Sequence, residues 1–229
     1  MTRERVGYIA GVQVHKTVVG VMCAGWLAAC STSHSAHPPD IAKLFTVKST
    51  FGPEYRVTTK GPSGIDPNMA GPQKLPPGVK FDPPGCADYA ASRRLPLGLQ
   101  GKMAVLAADG NGNRFYSIAV LANEAVPFNG IPDNCKHVTF DAGKISGVID
   151  AVDAPRINGA QTVGTHRQIQ ANAAGKSVSR EVYNYAAYLG DLVVMVSVNP
   201  VAARDQPPPV IDVERARRLL TDSVSAIRG

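Results

Sequence analysis

Residues 61–85 read GPSGIDPNMAGPQKLPPGVKFDPPG and hold seven prolines and five glycines. Proline brings no amide hydrogen to a sheet ladder, and its ring blocks a helix interior. This stretch therefore fills neither a central strand nor the body of a helix. It has to cross the surface in turns and short extended pieces, and its low polarity predicts that it packs against the folded body. Regular structure must then lie on either side of it. Before it, residues 41–45 (IAKLF) read as a brief helical turn, and residues 55–60 (YRVTTK) are β-rich with weak alternation. After it, residues 86–92 read as a short helix.

The clearest local signal further on is a hairpin. Residues 102–108 and 114–122 are strand-like and flank DGNGN at 109–113, where glycine and asparagine tolerate the positive φ of a tight connection. The second strand is apolar on both faces, so a helix or flanking loop is expected over one of them. Residues 159–171 are β-rich. Residues 178–189 and 192–198 read as an antiparallel pair turning at Gly190-Asp191. At the carboxyl end Asp212 is placed to cap a helix, with Glu214 near its positive pole. Val213, Ala216, Leu220, Val224 and Ile227 make its apolar stripe, and Arg215, Arg217, Arg218, Asp222 and Arg228 are expected to stay wet. The sum is an α+β fold, a mostly antiparallel sheet packed by the C-terminal helix.

The first 29 residues have a different character. Arg3, Arg5 and Lys16 precede an apolar run over residues 17–29, TVVGVMCAGWLAA. Charge, apolar core and small residues in that order are the layout of a secretory signal peptide. The run is shorter than the roughly 20 residues that cross a bilayer as a helix. It ends in Leu27-Ala28-Ala29-Cys30, which resembles the bacterial lipoprotein processing motif. That resemblance implies cleavage before Cys30 and acylation of its thiol, a bilayer partner through the acylated amino terminus, and a location on the extracytoplasmic face of the cell membrane. The expected division is a signal peptide over 1–29, lipidated cysteine and tether over 30–40, and one extracytoplasmic domain over 41–229.

The chain has four cysteines. With Cys23 in the leader and Cys30 acylated, Cys86 and Cys135 remain, and an oxidising compartment allows them one intramolecular disulfide. A metal or redox pair is the competing reading, but it lacks both a CxxC spacing and a ring of histidines. The net charge of +6 is spread along the chain, without the one-sided cluster that nucleic-acid binding requires. Gly175-Lys176-Ser177 lacks the glycine-rich cradle of a phosphate loop. His137 and His166 read as structural or surface histidines. Asp133, Asp141, Asp150 and Asp153 do not follow calcium-loop spacing, and His34 and His37 sit on the tether. No catalytic residue, metal or cofactor is assigned. Phe115, Tyr116, Tyr183, Tyr185 and Tyr188 are the candidates for lining an apolar ligand pocket, with sheet packing as the alternative use of the same rings.

LAAC at 27–30, the PPGC context of Cys86, the DNC context of Cys135 and the β-rich carboxyl half ending in a helix together resemble an uncharacterised family of secreted lipoproteins of mycobacteria and other actinobacteria. More distantly they resemble the extracytoplasmic sensor domains of mycobacterial receptor Ser/Thr kinases. Those sensor domains typically carry two disulfides, whereas this chain retains cysteines for one. The expected function is a non-enzymatic envelope lipoprotein that binds a small apolar ligand or an envelope protein. An envelope hydrolase with a noncanonical site and a structural accessory subunit are the alternatives.

Overall fold

Asp40 accepts a hydrogen bond from the amide of Ala42 (2.9 Å) and opens a 3₁₀ helix over Ile41–Thr50. This is seen in a computed structural model that describes residues 38–70, 78–90, 95–96, 98–173, 176–201 and 208–229. Ile41, Leu44 and Val47 are the buried residues of this helix, and their spacing of three matches the three residues per turn of 3₁₀ geometry. The helix runs past the brief turn expected at 41–45.

Strand β1 (Arg56–Gly64) leads to a single turn, α1 (Pro67–Ala70), and the short strand β2 (Lys80–Asp82). Helix α2 (Ala87–Ala90) follows, then β3 (Gly101–Gly110), β4 (Asn113–Ala122), β5 (His137–Asp141), β6 (Ile145–Val152), β7 (Gln161–Ala173), β8 (Lys176–Leu189), β9 (Leu192–Pro200) and α3 (Val213–Arg228). The described strands form one nine-stranded sheet in the order β1-β3-β4-β9-β8-β7-β6-β5-β2. Every pairing is antiparallel. The proline-rich stretch supplies both rims. Its first residues complete β1, where the register shifts between Lys60 and Ser63, and its last part provides β2.

The hairpin turns more tightly than DGNGN implies. Asp109 and Gly110 pair with Arg114 and Asn113, which leaves only Asn111 (φ 48°) and Gly112 (φ 70°) in the turn. Positive φ at both central residues matches the right-handed twist of the flanking strands. Asp109 and Arg114 form an ion pair across the ladder beside it. Gly190-Asp191 joins β8 to β9 as expected, with Gly190 at φ 68°.

Three strands have no counterpart in the sequence reading: β2, β5 and β6. Most side chains are exposed in β5 and only half covered in β6, so the residues were not selected for an apolar alternation. Gly147 in β6 also interrupts the pattern. A Cβ there would come within 2.7 Å of the Phe140 ring, so the glycine lets the ring lie across the neighbouring strand.

Helix α3 covers one face of the sheet. Asp212 caps it, accepting from the amide of Arg215 (2.9 Å). Ala216, Leu219, Leu220, Val224 and Ile227 are buried against Leu106, Phe115, Val194 and Val196, and Ile41 and Leu44 of the 3₁₀ helix join the same core. Two of the arginines expected to stay wet are partly covered. Arg215 lies over the rings of Phe51 (5.3 Å) and Tyr55 (4.9 Å), and Arg217 lies over Tyr185 (5.9 Å). Their long stems cover apolar surface while the planar cations meet ring faces.

The other face carries two smaller clusters. One gathers Met103, Val105, Val120, Val193 and Met195 with Leu95 and Val126 from the connecting segments. The second is built around the Cys86–Cys135 disulfide with Ala90, Val138 and Ile149. The molecule is thus an α+β protein with a mostly antiparallel sheet, a C-terminal helix over one face and a disulfide.

Candidate functional site

Antiparallel register decides what lies between the two clusters on the face away from α3. Val163 pairs with Ala186 and Thr165 with Asn184. Side chains two apart on a strand share a face, so Arg167 continues the β7 row and Tyr188 the β8 row. These residues form the floor of a cleft of about 420 Å³, within the ordinary range of small-molecule sites. The roof comes from two segments far apart in sequence. Tyr89 rides on α2, and Ile131 and Pro132 precede the 3₁₀ turn Asp133–Cys135. The Cys86–Cys135 bond (Cα–Cα 5.6 Å) clamps these segments together over the sheet.

The cleft has a polar end and an apolar end. At the polar end the buried Arg167 guanidinium donates through Nη2 to the carbonyl of Ala90 (3.1 Å), which holds it beneath α2. Thr165 and Asn184 stand beside it. The Tyr89 hydroxyl is buried with no hydrogen-bond partner among the described residues. Burial pushes the Tyr89 phenol above its ordinary value, and the nearby Arg167 charge pulls against that rise. At the apolar end Val163, Ala186 and the ring of Tyr188 replace the polar groups, and Phe128 meets Tyr188 edge to face (5.2 Å). Asp88 is the acidic residue among the described lining groups.

The five candidate aromatics do not gather in one place. Tyr185 and Tyr188 line the cleft. Tyr185 turns its ring to the opposite face, where it is fully buried in the helix-side core. Phe115 is buried in that same core, 5.9 Å from Phe51 and 6.1 Å from Tyr55. Tyr116 alternates away from Phe115 and is half-buried on β4. Tyr183 stacks on His166 (4.1 Å between ring centres). The strand period of two separates neighbours that proximity in sequence had grouped. Tyr89, Thr165, Arg167 and Asn184 were not singled out beforehand. The alternation of Val163, Thr165 and Arg167 on β7 was visible, but its facing partner was not.

The titratable residues of the sequence reading fall into local pairs. On the helix side of the sheet, His137, Asp150, His166 and Tyr183 are successive cross-strand partners on β5 to β8. His137 Nδ1 lies 2.6 Å from Asp150, and His166 Nε2 lies 2.7 Å from Glu181. Burial and the charges of Glu181 and Asp150 raise the Tyr183 phenol. Asp141 accepts from the amide of Gly143 (2.6 Å), and Asp133 meets Lys136 (2.8 Å). No three His, Cys, Asp or Glu side chains among the described residues stand close enough to hold a metal ion. Lys176 and Ser177 begin β8, while Gly175 lies outside the described residues. So do Cys30, His34, His37 and the leader.

No curated protein matches the chain. Among solved structures, an uncharacterised protein of Mycobacterium smegmatis, the Rv0999 ortholog, is 45% identical, with a TM-score of 0.79 over 85% of this chain and 100% of the other. Residues 40–228 match a family described as a domain of unknown function, DUF5642. The chain belongs to the DUF5642 family.

Proposed function

We propose that this chain is a lipid-anchored envelope protein whose domain binds a small ligand, without catalysis, in the cleft between β7, β8 and the disulfide-clamped roof. The observation that carries the reading is the cleft itself. It has apolar walls, a few convergent polar groups at one end and a roof held by a covalent bond. A ligand site needs those properties, and core packing does not produce them. The disulfide accords with an oxidising compartment, and LAAC at 27–30 supports acylation at Cys30. Two acyl chains give durable anchoring where one gives marginal binding. No helix among the described residues is long and apolar enough to cross a membrane. The likeness to kinase sensor domains is retained only as a distant relation, because cysteines for a second disulfide are lacking.

Two experiments test this reading. A labelled diacylglycerol precursor is expected to enter the wild-type chain and not Cys30→Ser, and equal labelling removes the anchor. For the cleft, Val163→Trp places a large ring in the floor. Native mass spectrometry of protein purified from its own envelope is expected to show a bound small molecule on the wild type and none on Val163→Trp. Equal occupancy of the two overturns the binding site.

A further inference from the structure

We infer that the cleft selects a small carboxylate with an extended apolar body, its head at Arg167 and its tail along Val163, Ala186 and Tyr188. This inference rests on the reading of the cleft as a binding site and names the ligand class.

The floor is graded along one direction. On β7 the cleft-facing residues run Arg167, Thr165, Val163, and on β8 they run Asn184, Ala186, Tyr188. Polarity therefore falls from Arg167 to the Val163–Ala186 pair over four residues of strand, about 13 Å at 3.3 Å per residue, and Tyr188, paired with Gln161, lies two residues farther on. That length and gradient suit a molecule with a single polar head and a short chain.

The chemistry of the polar end sets the sign of the head. Arginine is permanently charged and can only donate, and its planar fork matches a carboxylate. The bond from Nη2 to the Ala90 carbonyl fixes the orientation of that fork. The Tyr89 hydroxyl is the second donor. It is buried without a partner among the described residues, and a buried hydroxyl left so costs free energy that an incoming acceptor recovers. Arg167 bonds the carbonyl of Ala90, the residue next to Tyr89, which places the two groups at the same end. An ammonium head would meet the guanidinium charge, and a neutral amide would offer one acceptor oxygen in place of two and forgo the ion pair.

The test uses the full chain and three probes of one length, octanoate, octanamide and octylammonium, titrated by calorimetry. Octanoate is expected to bind about tenfold more tightly than octanamide, the ratio that one charge-assisted hydrogen bond supplies. Octylammonium is expected to bind more weakly than either. Arg167→Gln should reduce octanoate to about the level of octanamide and weaken octanamide by a smaller factor, so that the ratio between the two probes collapses. Arg167 is buried, so Tyr89→Phe provides a second variant. It should weaken octanoate several-fold and leave the thermal midpoint at or above the wild-type value. Equal binding of octanoate and octanamide to the wild type overturns the carboxylate assignment while leaving the cleft as a site. So does a preference that survives both substitutions. If none of the three probes binds, and Val163→Trp changes no ligand signal, the cleft reading itself falls.

Discussion

Ser117 of β4 and Ser223 of α3 meet across the seam between sheet and helix, with their hydroxyl oxygens 2.9 Å apart and both residues fully buried. Each hydroxyl satisfies the other in a site otherwise lined by aliphatic side chains. Removing one leaves its partner without a bond, at a cost of about 1–3 kcal/mol, whereas removing both strands neither. Ser117→Ala and Ser223→Ala are each expected to destabilise by that amount in urea unfolding, with the double variant costing less than their sum. Strict additivity in the double-mutant cycle would show that the pair contributes nothing. Neither serine stood out in the sequence. Ser223 fell within the helix but outside the apolar stripe, because a hydroxyl counts as polar until a second hydroxyl is known to face it. Leu219 was passed over for a related reason. The buried arc of α3 is wider than the single row of three-to-four spacings, since the helix lies over both the sheet and the 3₁₀ helix.

Among the elements, the disulfide holds the least self-sufficient part of the structure. It joins residues 49 apart in sequence and ties the roof of the cleft to the rim strand β2 and its neighbour β5. Closing a loop of that length removes unfolded-state entropy worth about 4 kcal/mol in the chain-entropy model. Cys86→Ser/Cys135→Ser is expected to lose stability of that order. Hydrogen exchange should rise first in α2, β2 and β5 and last in β3, β4 and β9. Uniform exposure of all the strands would mean that the bridge acts on the fold as a whole. What was legible in the sequence follows the same division. The β3–β4 and β8–β9 hairpins and α3 were readable because their apolar periodicity and turn residues agree. β5 and β6 were not, because they pack under loops and leave Thr139 exposed and Asp150 half covered, so that neither carries a burial signature. The cleft was least legible of all. Its floor depends on the register of β7 against β8, and its roof on a covalent bond between distant segments. Only the two cysteines of that roof announced themselves.

At the scale of the whole molecule, three tyrosines make stability sensitive to alkali. Burial raises the phenols of Tyr89, Tyr183 and Tyr185 above the ordinary 10.0. For Tyr185 the hydrogen bond and charge of Arg217 oppose the rise. In each case the folded state holds its proton more tightly than the unfolded chain does. Their contribution is therefore complete below about pH 10 and is lost as the pH climbs through the folded values. The urea midpoint is expected to fall above that point, in step with the appearance of tyrosinate absorbance. A midpoint that stays constant while the tyrosines ionise would place all three in solvent.

The rims of the sheet have a consequence for crowding. One rim carries Pro62 at its register shift, and the other ends after three residues with exposed Lys80 and Asp82. A lone sheet of this width would ordinarily recruit its neighbours strand by strand into fibres. Here the register shift in β1 and the three-residue length of β2 break up the row of free amides on either side, which disfavours strand-by-strand addition of a second copy.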